Sequence, residues 1–205
     1  MNRTTFEVGT FEVNCSILSE NGKAIVVDPG ADATRIRAEL KKQGLDLAAV
    51  LLTHAHFDHI SGIPALQKAF PGIPVYVHPG DVPMFGHPLN QAGGEYAPIG
   101  RPSGVRDVET LAELLPGVEV IHTPGHTPGG VCYHFPGDRL LLSGDTLFAG
   151  SVGRTDFPGG SMTRMMESLS TLAKLPDDTL VIPGHGPHTT IGAERRYNPY
   201  MASCP

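Results

Sequence analysis

The chain is 205 residues long, with 40% hydrophobic residues, 18% charged residues and a formal charge of −6. That apolar content suffices for the core of one compact domain, and an acidic balance without a Lys/Arg cluster argues against nucleic acid or an anionic membrane as partner. Cys15, Cys132 and Cys204 are an odd number without a Cys-x-x-Cys pair, the start lacks a signal-like apolar stretch, and no segment nears the ~20 apolar residues that span a bilayer, so a soluble cytoplasmic protein is expected.

Glycine (25) and proline (19) fall between short β-rich runs and read as turns. Residues 6–8, 15–19 and 24–28 predict strands in a meander that ends in the turn Asp28-Pro29-Gly30. Over 33–42 the apolar Ile36 and Leu40 sit four apart among charges, predicting an amphipathic helix with Asp32 as N-cap and Gly44 as stop. Val50-Leu51-Leu52 is wholly apolar, as in a strand covered on both faces, and it leads directly into Thr53-His54-Ala55-His56-Phe57-Asp58-His59. A helix is expected over 63–70 and a strand over 75–77. The segment 84–105 has little periodicity and reads either as a surface excursion or as a loop beside the site. Strands over 118–121, 139–142 and 179–182 each run into one potential ligand, respectively His126, Asp145 and His185. Between the last two, 162–175 carries Met165, Met166, Leu169 and Leu172 at helical spacing after Ser161, which makes the methionines core residues.

Three imidazoles and a carboxylate within His54–His59 are a density of ligands that neither core nor surface requires. His54, His56 and His126 supply three ligands for one divalent ion. Asp58, His59 and His185 supply a second, and Asp145 has two oxygens with which to bridge both. A carboxylate buried at the end of an apolar strand is costly unless cations satisfy it. Asp28, at a strand-to-turn junction, reads as a turn residue or as an acceptor that orients a ligand histidine. His78, His87, His122, His134 and His188 lie outside the pattern and read as structural.

Together Thr53–His59, Pro124-Gly125-His126-Thr127, Ser143-Gly144-Asp145 and Pro183-Gly184-His185-Gly186 resemble the metallo-β-lactamase superfamily. Ser151–Gly160 and Asn198-Pro199-Tyr200 are similar to its short bacterial glyoxalase II type. The resemblance implies an α/β fold, an αβ/βα four-layer sandwich of two mixed sheets flanked by helices, as a single domain over 1–205. It implies the same seven-ligand division between two ions, zinc first with iron or manganese as alternatives. The longer members' C-terminal helical region that grips glutathione has no counterpart here, and their substrate-facing lysine and tyrosine correspond in position to Arg154 and Asp156. A salt bridge internal to the loop is the competing reading of Arg154.

The implied activity is hydrolysis of thioesters of the S-lactoylglutathione (hydroxyacylglutathione) type by a metal-bound hydroxide, with Asp58 orienting the water. A thiolate leaving group, of pKa near ~8.5, needs no dedicated general acid. Mononuclear iron persulfide dioxygenases resemble the chain in the same Gly-Arg-Thr-Asp-Phe segment and form the main alternative. A hydrolase of another ester or lactone on the same scaffold is a further one. The partner is then a small-molecule thioester; homo-oligomerisation stays open.

Overall fold

A computed structural model describes residues 1–91 and 98–203. The centre of the 84–105 loop and Cys204 lie outside them. The chain divides into two compact units, Met1–Val108 and Glu109–Pro205, each built around a mixed sheet flanked by helices. Among the described residues no helix is long and apolar enough to cross a membrane.

In the first unit, β1 (Asn2–Val8), β2 (Val13–Glu20) and β3 (Lys23–Val27) form the expected antiparallel meander. Helix α1 (Ala33–Gln43) then crosses over to β4 (Asp46–Leu51), which lies parallel to β3. After the single turn α2 (Phe57–Ile60) and helix α3 (Ile63–Ala69), strands β5 (Val75–Val77) and β6 (Val105–Asp107) complete a six-stranded sheet in the order β1-β2-β3-β4-β5-β6. Strand β4 is central. Val50, Leu51 and Leu52 are fully buried, so the apolar run reports a strand between two parallel neighbours. Each such side chain contributes roughly 1.5–3 kcal/mol on burial, which pins the strand end from which His54 emerges. The core beneath includes Val26, Ile36, Leu40, Val50, Ile60, Ile63 and Leu66.

The expectation for Asp32 is corrected. It occupies the N-cap position of α1, but in a left-handed conformation and without a side-chain cap. Its Oδ2 accepts instead from the Gly9 N–H at 2.9 Å, tying the β1–β2 turn to the helix start. Gly44 ends the helix as expected, left-handed, its N–H bonded to the carbonyls of Leu40 and Lys41.

In the second unit, β7 (Glu119–His122), β8 (Val131–Phe135) and β9 (Leu140–Gly144) are antiparallel neighbours. The hairpin of β10 (Leu147–Phe148) and β11 (Ser151–Val152) follows, then α4 (Met162–Leu172). Helix α4 crosses over to β12 (Leu180–Pro183), parallel to β9. Strand β13 (Thr189–Thr190) leads into α5 (Ile191–Tyr197), and the sheet order is β13-β12-β9-β8-β7. Ser161 caps α4 by accepting from the Arg164 N–H. Met165 is buried with Leu169, Leu172, Leu141 and Val181, and Met166 packs on the same cluster, so the methionines are core residues.

Candidate metal centre

The ligand run of the first unit is held by its backbone and by three buried polar side chains. Leu52 N–H donates to the Tyr76 carbonyl at 3.0 Å, extending the pairing one residue past β4. There Asp28 takes over: its Oδ1 accepts from Thr53 N–H at 2.8 Å and its Oδ2 from Thr53 Oγ1 at 2.6 Å. The same Oδ2 lies 3.1 Å from His59 Nδ1. Two further residues, which nothing in the sequence singles out, support the run. Asp81 Oδ2 accepts from Ala55 N–H at 3.0 Å, and Asn90 accepts from Phe57 N–H at 2.9 Å while donating to Ala55 O at 2.8 Å. Asn90 also donates to Met84 O at 3.1 Å, so this described end of the 84–105 segment lies against the ligand run. Gly30 permits the closest approach of all, because a Cβ there would lie 1.7 Å from the Asp58 carbonyl oxygen.

These contacts assign tautomers. The single Thr53 hydroxyl proton goes to Asp28, so Thr53 Oγ1 accepts from His54 Nδ1 at 3.1 Å. His59 Nδ1 likewise donates to Asp28, and in both rings Nε2 is left as the lone-pair atom. Ligand atoms of His54 and His56, of His54 and His59, and of Asp58 and His59 lie within 4.8 Å of one another.

In the second unit His126 and His185 share one carboxylate. Asp145 Oδ2 is 3.4 Å from His126 Nε2 and 3.7 Å from His185 Nε2. His126 Nδ1 is 2.7 Å from the Arg154 carbonyl, which only accepts, so the proton is on Nδ1 and the Nε2 lone pair faces Asp145. Gly153 makes this possible: a Cβ there would lie 1.8 Å from the Asp145 carbonyl oxygen and 3.2 Å from His126 Cγ.

The donor set fits a divalent ion. Imidazole nitrogens facing carboxylate oxygens with lone pairs on both sides repel until a cation lies between them. Two ligands each about 2.0 Å from one ion at a tetrahedral angle are about 3.3 Å apart, close to the observed His126–Asp145 separation.

Arg154 and Asp156 pair with each other. Nε and Nη2 of Arg154 donate to Oδ1 and Oδ2 of Asp156 at 2.9 and 2.8 Å, with both side chains 66% exposed and the guanidinium 4.3 Å from the Phe157 ring centroid. The Arg154 guanidinium holds the Asp156 carboxyl below its ordinary range, and Asp156 raises Arg154. Among the histidines outside the ligand pattern, His78 accepts from Gly80 N–H, His87 from Leu89 N–H, and His134 Nδ1 lies 2.7 Å from Glu119 Oε2.

Fold and donor set together mark a metal-dependent hydrolase, and the chain belongs to the metallo-β-lactamase superfamily: residues 8–185 match the family described as Metallo-beta-lactamase superfamily. A hydroxyacylglutathione hydrolase, GloC, of Haemophilus influenzae is 34% identical over 99% of this chain and 99% of its own. A probable metallo-hydrolase of Bacillus subtilis, YqgX, is 36% identical over 95% of this chain and 94% of its own. Among solved structures, TTHA1623 in a di-iron-bound form superposes with a TM-score of 0.88 at 38% identity, covering 96% of this chain and 99% of that one.

Proposed function

We propose that the protein hydrolyses thioesters of the hydroxyacylglutathione type at a dinuclear centre, with His54, His56 and His126 on one ion, Asp58, His59 and His185 on the other, and Asp145 bridging. The observation that carries the proposal is Asp145 Oδ2, within 4 Å of the Nε2 atoms of both His126 and His185, a shared carboxylate between two imidazoles. The similarity to GloC over nearly the whole of both chains supports the substrate class.

When bound, the two ions, zinc in the first instance, supply Lewis acidity and bring the pKa of a water toward ~7. The rest falls to the chain. Asp28 and the Arg154 carbonyl keep His59 and His126 in the tautomer that presents Nε2. Asp58, whose carboxylate lies 3.9 Å from His59 Nε2, orients the attacking water and takes up its proton. The departing thiolate needs no proton donor, since its conjugate acid has a pKa near ~8.5. Arg154 draws the anionic end of the substrate once it leaves Asp156.

The test is made on one preparation analysed for metal. Thiol should be released from S-lactoylglutathione in step with acid, without oxygen uptake. Oxygen consumption with glutathione persulfide, and no thioester turnover, would replace the proposal with the mononuclear iron alternative.

A further inference from the structure

The Asn198-Pro199-Tyr200 segment and the end of α5 touch no ligand, yet they contain a buried polar network. Glu194 is 4% exposed and Asn198 is fully buried. Glu194 Oε2 accepts from Gly150 N–H and from Asn198 Nδ2, both at 2.8 Å, and its Oε1 accepts from Thr189 Oγ1 at 2.7 Å. Asn198 Nδ2 also donates to Ser151 O at 3.0 Å, while its Oδ1 accepts from Tyr200 N–H at 3.0 Å. Asn198 therefore uses donor and acceptor together, which neither Asp nor Leu could do.

Every bond this network makes to another element ends on the β10–β11 hairpin or on β13. The hairpin is where the second unit's ligands are mounted. Asp145 lies two residues before β10. Arg154, whose carbonyl holds His126 Nδ1 at 2.7 Å, lies two residues after β11. Phe148, on β10, meets the His185 ring edge-on at 6.3 Å between centroids. Three ligand positions thus depend on one short hairpin. Two residues per strand cannot hold themselves in place, and the backbone of its turn and second strand is clamped by Glu194 and Asn198.

We propose that Glu194 and Asn198 are positioning residues for the metal centre: they fix the β10–β11 hairpin and thereby set the affinity with which His126, Asp145 and His185 hold metal. The proposal rests on the assignment of those three residues as ligands.

Zinc affinity measured by chelator competition, and the visible spectrum of the cobalt-substituted protein, test it independently of turnover. Glu194→Gln keeps the shape but turns one acceptor oxygen into an NH2 facing existing donors. It should weaken metal binding about 10- to 100-fold, the range for partners that orient ligands, and shift the cobalt bands. Thr189→Val, which deletes only the outer hydrogen bond, should move both readouts the same way but less, and remains informative if Glu194→Gln does not fold. Leu172→Ala, a core truncation away from the hairpin, should lower thermal stability and leave metal affinity and spectrum as in wild type. Wild-type affinity and spectrum in Glu194→Gln, or in Thr189→Val if only that variant folds, would overturn the proposal, as would an equal loss of affinity in Leu172→Ala. Full metal content in Asp145→Ala would instead overturn the ligand assignment beneath it.

Discussion

Asp28→Asn perturbs the metal centre without touching a ligand. Asp28 has φ +50°, a left-handed conformation that Asn adopts readily, so the backbone is retained and the change is polar alone. The carboxylate accepts from Thr53 N–H at 2.8 Å, Thr53 Oγ1 at 2.6 Å and His59 Nδ1 at 3.1 Å. An amide keeps one acceptor oxygen for Thr53 N–H and points two N–H groups at the other donors. The Thr53 hydroxyl can rotate to accept from the new amide, but its proton then goes to His54 Nδ1 and reverses that tautomer. His59 must likewise move its proton to Nε2. Hydrogen bonds to a charged group are worth about 1.5–3 kcal/mol each, and with two replaced and partly compensated the metal-free protein should lose roughly 2–4 kcal/mol in urea denaturation. Zinc affinity should fall about 10- to 100-fold, because two ligand rings present N–H where a lone pair is required. Long-range 15N correlation spectra of the imidazoles, recorded without metal, report the tautomers directly. Unchanged tautomers in Asp28→Asn, with affinity within twofold of wild type, would refute this account of how the ligands are oriented.

Asp145→Ala should abolish thioester turnover and metal retention together, whereas His134→Ala, which removes the contact to the exposed Glu119, should leave kcat near wild type; parallel metal analysis and kinetics decide this. Arg154→Ala should raise KM for anionic thioesters with metal content unchanged, and Asp156→Asn, which frees the guanidinium, should lower it; an unchanged KM in both counts against a substrate role for this pair. Because Arg154 holds the Asp156 carboxyl below its ordinary 3.8, the pairing is fully present above that pH and is lost as pH falls through the lower folded value. Carboxyl titration by NMR should show Asp156 returning toward 3.8 in Arg154→Ala. Burial pushes the Cys132 thiol from 9.0 up to about 11, so the folded state holds that proton more tightly than the unfolded chain. Its contribution to stability is complete below about 9 and lost as pH rises toward about 11; the fall in urea midpoint over that window should be smaller in Cys132→Ala.

The elements were legible where the pattern was local and apolar. Val50-Leu51-Leu52 had to be buried on both faces, and its parallel neighbours are there. Ile36 and Leu40 placed α1, and Met165, Leu169 and Leu172 placed α4. Asp32 shows the limit of such reasoning. Its position is that of a cap, yet its carboxylate serves Gly9, 23 residues earlier, because the β1–β2 turn brings an N–H within reach. Asp81 and Asn90 could not have been found in the same way. Their partners Ala55 and Phe57 lie 26 and 33 residues away, and an isolated Asp or Asn after a strand has no signature.

By itself, the sequence determined the inventory: which strands exist, that His54, His56, Asp58, His59, His126, Asp145 and His185 each follow an apolar run, and hence the chemistry they offer. Hydrophobic periodicity and ligand type are properties of neighbouring residues, so they survive without coordinates. Only the tertiary structure decided which nitrogen of His54, His59 and His126 carries the proton, that Arg154 is paired with Asp156, and that Glu194 and Asn198 clamp the hairpin beside the ligands. Hydrogen bonds act over about 3 Å, and which groups come within that distance is set by the packing of segments far apart in the chain.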